Sequence, residues 1–108
     1  MKKQGFVYIL SNKNRTTLYI GVTNNLQRRI LEHKAGKGKF SSKFNLFDLL
    51  YFEQINGIEL AIEREKQLKN WNSEWKWKLI KEENPELIDL AKDWFSELEI
   101  KEFKLKKE

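Results

Sequence analysis

The sequence predicts an α+β domain with a small three-stranded antiparallel sheet flanked by helices, in the order β-β-α-β-α-α-α. Two β-rich runs, "GFVYIL" and "TLYIGV", stand on either side of the turn-forming "SNKNR". A third apolar run, "FDLLYFEQI", follows one helical stretch, and three further helical patterns fill the second half. Strands joined by a tight turn pair antiparallel, and the helices are expected to pack on the resulting sheet.

The first two runs are interpreted as a β-hairpin over residues 5–22. Antiparallel pairing centred on Lys13 and Asn14 would place Tyr8 directly opposite Tyr19. Directly opposed residues of an antiparallel pair share one face of the sheet at about 5 Å. The two tyrosines are therefore expected on the same face.

A helix is predicted after the hairpin, in "TNNLQRRILEHKAGKG". A threonine or one of two asparagines at 23–25 can cap its start, and Gly36 can end it. Arg29 and His33 are four residues apart, so they lie on the same side of this helix.

The following residues, 37–46, are interpreted as a basic loop with aromatic side chains. Its lysines are candidates for gripping a nucleic-acid backbone, and a merely solvated loop is the alternative. The lysines are Lys37, Lys39 and Lys43, and they surround Phe40 and Phe44.

A third strand is predicted over residues 47–55, and Gly57 then opens a helix. Its apolar residues recur at spacings of three, four and seven, which is typical of a buried stripe; they are Ile58, Ala61, Ile62 and Leu68. The middle of that stripe falls on Glu65. A buried carboxylate is costly unless it is paired, hydrogen-bonded or bound to a metal. The alternatives to a metal are a salt bridge with Arg29 or Lys69, or a helix rotated to expose Glu65.

Two more helices are predicted in the last third of the chain. One begins at the "NS" of "NSEWKWKLIKEEN", and the other follows Asn84-Pro85 and covers "ELIDLAKDWFSEL", because proline favours the first helical position. Residues 99–108 are mostly charged and are expected to fray. The folded domain is therefore predicted to span residues 1–98.

The composition of the 108 residues excludes several classes of site. There is no cysteine, which rules out disulfides, thiolate zinc sites and cysteine nucleophiles. His33 is the only histidine, so a two-histidine mechanism is excluded as well. No apolar run approaches the roughly 20 residues of a membrane span. A soluble cytoplasmic protein with no membrane partner is expected.

The distribution of charge says more than the net charge of +5. Residues 1–56 carry ten Lys and Arg against three Asp and Glu, whereas residues 57–108 carry eleven against thirteen. A basic excess confined to one half favours an anionic partner there, and nucleic acid is the first candidate. A basic solvated surface is the alternative.

Three stretches, "VYIL", "LYIGVTNNLQRRILEHK" and "AIEREKQLK", together resemble the GIY-YIG nuclease superfamily. The resemblance is closest to its small single-domain endonuclease branch. The second half of the family signature is matched letter for letter by Tyr19-Ile20-Gly21. The first half departs from the signature, because the family's Gly-Ile-Tyr reads here as Phe6-Val7-Tyr8 and its glycine is lost.

The resemblance implies a catalytic site made of Tyr8, Tyr19, Arg29, His33 and Glu65. Tyr8 would orient or deprotonate the attacking water, with Tyr19 and His33 as neighbours that can relay its proton. Arg29 would neutralise phosphate oxygens, and Glu65 matches the family's metal-binding glutamate. The implied metal is Mg²⁺ or Mn²⁺, with no other small-molecule cofactor. His33 has the alternative role of capping the carboxyl end of its helix.

The activity implied is metal-dependent hydrolysis of DNA phosphodiester bonds, structure-selective or nonspecific, in DNA repair, recombination or processing. DNA is the expected partner of a monomer or weak dimer. The candidate DNA contacts are Arg28, Lys37, Lys39 and Lys43. One alternative is a catalytically inactive nucleic-acid-binding module of the same fold. Another is a small interaction protein that uses its tryptophan-bearing helices.

Overall fold

The structure is a computed structural model that describes residues 4–106. Its strands and helices are β1 (Gly5–Ser11), β2 (Leu18–Thr23), α1 (Leu26–Lys34), α2 (Lys39–Lys43), β3 (Asp48–Ile55), α3 (Ile58–Asn70), α4 (Ser73–Glu83) and α5 (Glu97–Leu105). The predicted α+β class is confirmed, and α2 is an addition to the predicted order. Within the described range, no helix is long and apolar enough to cross a membrane.

The sheet is antiparallel and has the strand order β2-β1-β3. Side chains alternate along the central strand, so Val7 and Ile9 point to one face while Tyr8 and Leu10 point to the other. Helices α3 and α4 cover the Val7 face. Helix α1 and the irregular segment 84–95 cover the Tyr8 face. The central strand is therefore buried on both sides, with an apolar core in each layer.

The predicted register of the hairpin is wrong by two residues. Tyr8 pairs with Gly21 rather than with Tyr19, and Tyr19 pairs with Leu10. A shift by an even number of residues leaves each side chain on its original face. The two tyrosines therefore share a face, as expected, but as diagonal rather than opposed neighbours.

The turn of the hairpin explains this register. The side-chain oxygen of Asn12 accepts hydrogen bonds from the backbone N–H groups of Thr16 and Thr17, at 2.9 and 3.1 Å. Arg15 takes the left-handed conformation with a φ of 57°. These contacts build a longer loop than a two-residue turn at Lys13, which moves the point of closure toward β2.

The segment predicted as a basic loop contains the five-residue helix α2. The carbonyl of Gly38 accepts from the N–H of Ser42, and the carbonyl of Ser41 accepts from the N–H of Leu46, at 2.9 and 2.8 Å. A helix this short is below the length at which hydrophobic periodicity is informative.

The helix predicted after Asn84-Pro85 does not form, and residues 84–95 run in turns. The side-chain amide of Asn84 is buried, donates to the carbonyls of Leu50 and Ile88 and accepts from the N–H of Ile88. Leu87 adopts a φ of 54°, which no α-helix contains. Asparagine side chains can form hydrogen bonds with the backbone that replace those of a helix. Here the bond from Asn84 to the carbonyl of Leu50 in β3 stabilises the non-helical conformation.

The same segment is attached along the start of β3. The carboxylate of Asp89 accepts hydrogen bonds from the N–H of Leu49 and of Ala91, at 2.9 and 3.0 Å. The N–H of Leu90 donates to the carbonyl of Leu49 at 2.7 Å. Residues 84–91 thus act as an irregular border of the sheet.

The charged end of the chain forms helix α5 where fraying was expected. Ser96 and Glu99 cap it reciprocally, each side chain accepting from the backbone N–H of the other. Phe103 is buried where α5 packs on α1. The prediction of a frayed tail over 99–108 is wrong as far as this helix extends. Residues 107 and 108 of the predicted tail lie outside the described part of the chain. The domain limits 1–98 stay a prediction.

Candidate active site

Four of the five predicted catalytic side chains meet on the Tyr8 face of the sheet. Tyr8 lies in the middle of β1 and Tyr19 near the start of β2. Arg29 and His33 are one turn apart on α1, whose start is fixed by Asn25, the N-cap. Ring centroids are 6.2 Å apart for the two tyrosines, 5.6 Å for Tyr8 and His33, and 5.7 Å for Tyr19 and His33.

The hydroxyl of Tyr8 is the point where the hydrogen bonds of this group converge. It lies 2.9 Å from Nε2 of His33, and Nε of Arg29 donates to it at 3.3 Å. A second guanidinium nitrogen of Arg29 donates to Glu32 at 2.8 Å. Because a guanidinium has only donors, the Tyr8 oxygen accepts from Arg29 and its own proton is available to His33.

A hydroxyl that sequence reasoning did not identify lies on the other side of the imidazole. Oγ of Ser41 is 2.6 Å from Nδ1 of His33 and donates to the carbonyl of Gly38 at 3.4 Å. The three hydrogen bonds can therefore run in one direction: Tyr8 donates to His33, His33 donates to Ser41, and Ser41 donates to the carbonyl of Gly38. His33 and Ser41 are each 1% exposed. The sequence signal is faint, because only the glycine and serine three residues apart mark this contact.

Burial changes the pKa values of Tyr8 and His33 in opposite directions. Burial raises the pKa of Tyr8 to about 12, and the hydrogen bond from Arg29 opposes that rise. Burial, and secondarily the charge of Arg29, lowers the pKa of His33 to about 4, while Glu32 acts in the opposite direction. At neutral pH the phenol is protonated and the imidazole is neutral, so Nε2 of His33 can accept the hydrogen bond of the Tyr8 hydroxyl.

The ring of Tyr8 packs directly on the backbone of Gly21, the last residue of the signature tripeptide. The two residues are paired across β1 and β2. A side-chain carbon at position 21 would overlap the ring and the hydroxyl of Tyr8. The glycine thus makes room for the phenol to lie across the neighbouring strand.

Glu65 is not part of this hydrogen-bonded group, and its helix α3 packs on the opposite face of the sheet. Its carboxylate is 14% exposed and forms an ion pair of 3.1 Å with Lys69, one of the alternatives that the sequence left open. Ile62 was expected in the buried stripe and is 38% exposed. The neighbouring residue Arg64 binds Glu53 of β3 through two hydrogen bonds of 2.9 Å. Lys69, the partner of Glu65, lies beside the edge strand β2.

The chemistry of this position fits a weakly held divalent cation. A carboxylate oxygen is the donor that Mg²⁺ prefers, and one or two carboxylates with waters and substrate oxygens suffice to bind it. Lys69 occupies the place of a cation, and its side chain is 52% exposed on a flexible stem that can move aside. Residues 4–106 contain no cluster of three or more acidic, histidine or cysteine side chains suited to a metal. A metal here would need the substrate as a co-ligand.

The predicted DNA-contacting residues fall into two groups. Arg28 and Lys37 lie over the ring of Phe103 in α5, and Lys37 also donates to the carbonyl of Lys106. Lys39 and Lys43 are exposed on α2. The first pair thus contacts the carboxyl-terminal helix, although Arg28 is still 60% exposed. The second pair is accessible on α2, the helix whose Phe40 stacks on Tyr19.

Comparisons with known proteins match residues 4–80 to the GIY-YIG catalytic domain. A UPF0213 protein of Natronomonas pharaonis is 33% identical over 84 residues, which are 77% of this chain and 98% of the relative. A UPF0213 protein of Syntrophus aciditrophicus is 34% identical over 85 residues, 77% of this chain and 95% of the relative. One from Staphylococcus haemolyticus is 36% identical over 78 residues, 71% and 94% respectively. No solved structure gives a significant match.

The domain match covers most of the chain, and the relatives are covered almost completely. The strand–strand–helix arrangement that holds Tyr8, Tyr19 and Arg29 is the part of the fold in which the signature residues lie. The resemblance inferred from the sequence is confirmed: the chain belongs to the GIY-YIG family of nuclease domains.

Proposed function

We propose that the protein is a metal-dependent endonuclease that hydrolyses phosphodiester bonds of DNA. The observation that supports this most is the hydroxyl of Tyr8 held between a guanidinium and a neutral imidazole. A cation that can bind phosphate and a neutral hydrogen-bond acceptor therefore contact the same phenol. We further propose a structure-selective or nonspecific cut, used in DNA repair, recombination or processing.

Tyr8 is the group that binds the attacking water in this proposal. With a raised pKa it is a poor base by itself, so its proton must leave as the water proton arrives. The water gives a proton to the Tyr8 oxygen as Tyr8 gives its own proton to Nε2 of His33. The pKa values of the free protein oppose this transfer, and the negative charge of a bound phosphate would favour it by raising the pKa of His33. The hydroxide attacks phosphorus, the bond to the 3′ oxygen breaks, and the released 3′ oxygen takes a proton from solvent water. Tyr19 packs against both rings and limits the water that reaches them.

Arg29 stabilises the charge that develops on the phosphate. Its Nε already contacts Tyr8, so a phosphate that meets the phenol also meets the guanidinium, whose planar fork can donate two hydrogen bonds to phosphate oxygens. Glu32 holds the other end of the guanidinium in place. Glu65 would hold Mg²⁺ or Mn²⁺, which when bound stabilises negative charge on the leaving oxygen.

The test is cleavage of end-labelled single-stranded, duplex and branched DNA in Mg²⁺, in Mn²⁺ and in EDTA. Glu65→Gln is compared with Glu63→Gln, a matched control because Glu63 is exposed on the same helix. We expect metal-dependent cutting that falls about 100-fold or more in Glu65→Gln and is kept in Glu63→Gln.

Two results would overturn this proposal. Folded wild-type protein that binds DNA and cuts nothing in either metal would be the inactive module of the same fold. Protein that neither binds nor cuts DNA and elutes well above the size of a monomer would instead be an interaction protein.

A further inference from the structure

We propose that a cleft along the open edge of β2 binds one nucleotide of single-stranded DNA, with its unpaired base stacked on Phe40. This inference rests on the proposed nuclease function and specifies its substrate class. The cleft has a volume of about 310 Å³, at the lower end of the range for ligand sites and suited to a single nucleotide. It is lined by Leu18, Tyr19, Ile20, Phe40, Lys69 and Lys76.

The position of the cleft follows from the sheet. Leu18, Tyr19 and Ile20 are consecutive in β2, so their side chains alternate between the two faces. Consecutive residues can line one cleft only where it runs along the edge of the strand, and β2 is an edge strand. The cleft therefore joins the face that carries Tyr19 to the face that carries Lys69 and its partner Glu65.

One wall of the cleft is aromatic. The rings of Tyr19 and Phe40 are stacked, with centroids 5.6 Å apart and planes at 29°, and Phe44 follows at 4.7 Å from Phe40. Phe40 is 49% exposed and Phe44 is 44% exposed. Half-exposed rings stacked on a catalytic tyrosine are a platform on which a planar base can lie.

Two lysines also line the cleft, Lys69 from α3 and Lys76 from α4. Lys69 is paired with Glu65 at 3.1 Å. Exposed Lys39 and Lys43 stand on the aromatic side, and Lys43 lies 5.6 Å from the centroid of Phe44. Aromatic rings and lysines that line one cleft match a nucleotide, which carries a flat base at one end and a phosphate at the other.

A base that is paired in a duplex does not fit this arrangement. Both of its faces are stacked on neighbouring bases, and flipping it out requires breaking its stacking and pairing. A base in a single strand presents a free face without that cost. The cleft therefore favours single-stranded DNA over duplex DNA, and Tyr19 places the adjoining phosphate next to Tyr8 and Arg29.

The test is binding of a fluorescent oligonucleotide in EDTA, so that cleavage does not interfere, with the single strand compared with the same sequence fully paired. Phe40→Leu is expected to weaken single-strand binding about tenfold, and to change duplex binding by less than about twofold. Phe40→Tyr keeps an aromatic face and is expected to restore binding. Lys76→Gln should also weaken single-strand binding.

The matched controls are Trp75→Leu, an exposed aromatic on α4, and Lys78→Gln, an exposed lysine on that helix outside the cleft. Equal losses on single strand and duplex, or no loss in Phe40→Leu, would overturn the cleft. Its failure is distinguishable from failure of the nuclease. Protein that binds single strands through Phe40 and cuts no substrate supports the cleft alone, whereas cutting of duplex and single strand at equal rates, unaffected by Phe40→Leu, refutes the cleft alone.

Discussion

The hydroxyl of Ser41 lies 2.6 Å from Nδ1 of His33, on the side of the imidazole opposite to Tyr8. A neutral imidazole carries its proton on one nitrogen, and the hydrogen bond made by one nitrogen decides the state of the other. The Ser41 hydroxyl donates a hydrogen bond to the carbonyl of Gly38, so its oxygen can accept a hydrogen bond from the N–H at Nδ1 of His33. Nε2 is then left free to take the proton of Tyr8.

Ser41→Ala is therefore expected to change the tautomer of His33 and to slow cleavage about tenfold or more, because the tautomer with a free Nε2 loses its partner. The measurement is the ¹⁵N chemical shift of the imidazole, which is unambiguous because the chain has one histidine. It needs no DNA, so it tests the contact independently of activity. Ser42→Ala is the matched control, since Ser42 is the adjacent serine on α2 and is not hydrogen-bonded to the imidazole. An unchanged tautomer in Ser41→Ala would contradict the assignment.

The lowered pKa of His33 makes stability depend on pH below neutrality. The unfolded chain takes up the imidazole proton near pH 6.5, whereas the folded chain resists it until about pH 4. Between these values the unfolded state binds more protons, so the free energy of unfolding falls as pH falls, by up to about 1.4 kcal/mol per pH unit. Above pH 6.5 this contribution is constant. Urea unfolding at several pH values, beside His33→Gln, would show the wild type losing more stability than the variant on acidification. A midpoint near pH 6.5 in an NMR titration of the folded imidazole would refute the shift.

Gly21→Ala is expected to displace Tyr8 and to abolish most cleavage. The added carbon overlaps the phenol, and overpacking of this kind costs about 1–3 kcal/mol. Thermal melting should show the destabilisation. The double variant Gly21→Ala with Tyr8→Phe should recover part of the stability, because the hydroxyl involved in the overlap is gone. Wild-type cleavage by Gly21→Ala would show that Tyr8 does not need this position.

Arg29→Lys is expected to lower cleavage about 100-fold with little change in stability, because a lysine cannot contact Tyr8 and Glu32 at once while donating to phosphate. Arg64→Lys is the matched control. Arg64 also makes a forked contact, with Glu53, but on the opposite face of the sheet. The control variant should lose stability and keep cleavage. Normal cleavage by Arg29→Lys together with slow cleavage by Arg64→Lys would contradict the role given to Arg29.

The parts of the site that could be predicted are those governed by local periodicity. A strand repeats every two residues, so an error of two in the hairpin register left Tyr8 and Tyr19 on one face. A helix brings residues four apart together, which placed Arg29 beside His33. The family signature added the identity of these residues, but the pairing of Tyr8 with Gly21 needed the observed turn at Asn12.

The parts that could not be predicted depend on contacts between distant residues. The interaction of Ser41 with His33 requires α2 to fold back onto α1, and a five-residue helix gives no periodic signal. Asn84 reads as a helix cap from its neighbours, yet its amide is captured by the carbonyl of Leu50 in β3. The sequence left open whether Glu65 pairs with Arg29, on another helix, or with Lys69, and only the folded structure shows the pair with Lys69.

The irregular border of the sheet has a consequence for solubility. An uncovered edge strand is a template on which other chains can add strands, the route to aggregates and fibrils. At the start of β3 the backbone groups of Leu49 and Leu50 are already taken by Asn84, Asp89 and Leu90. Residues 84–91, which replace a predicted helix, therefore block the addition of another strand at this end of β3. A chain shortened to the matched residues 4–80 would lose this protection, and it is expected to aggregate more readily than the 108-residue chain.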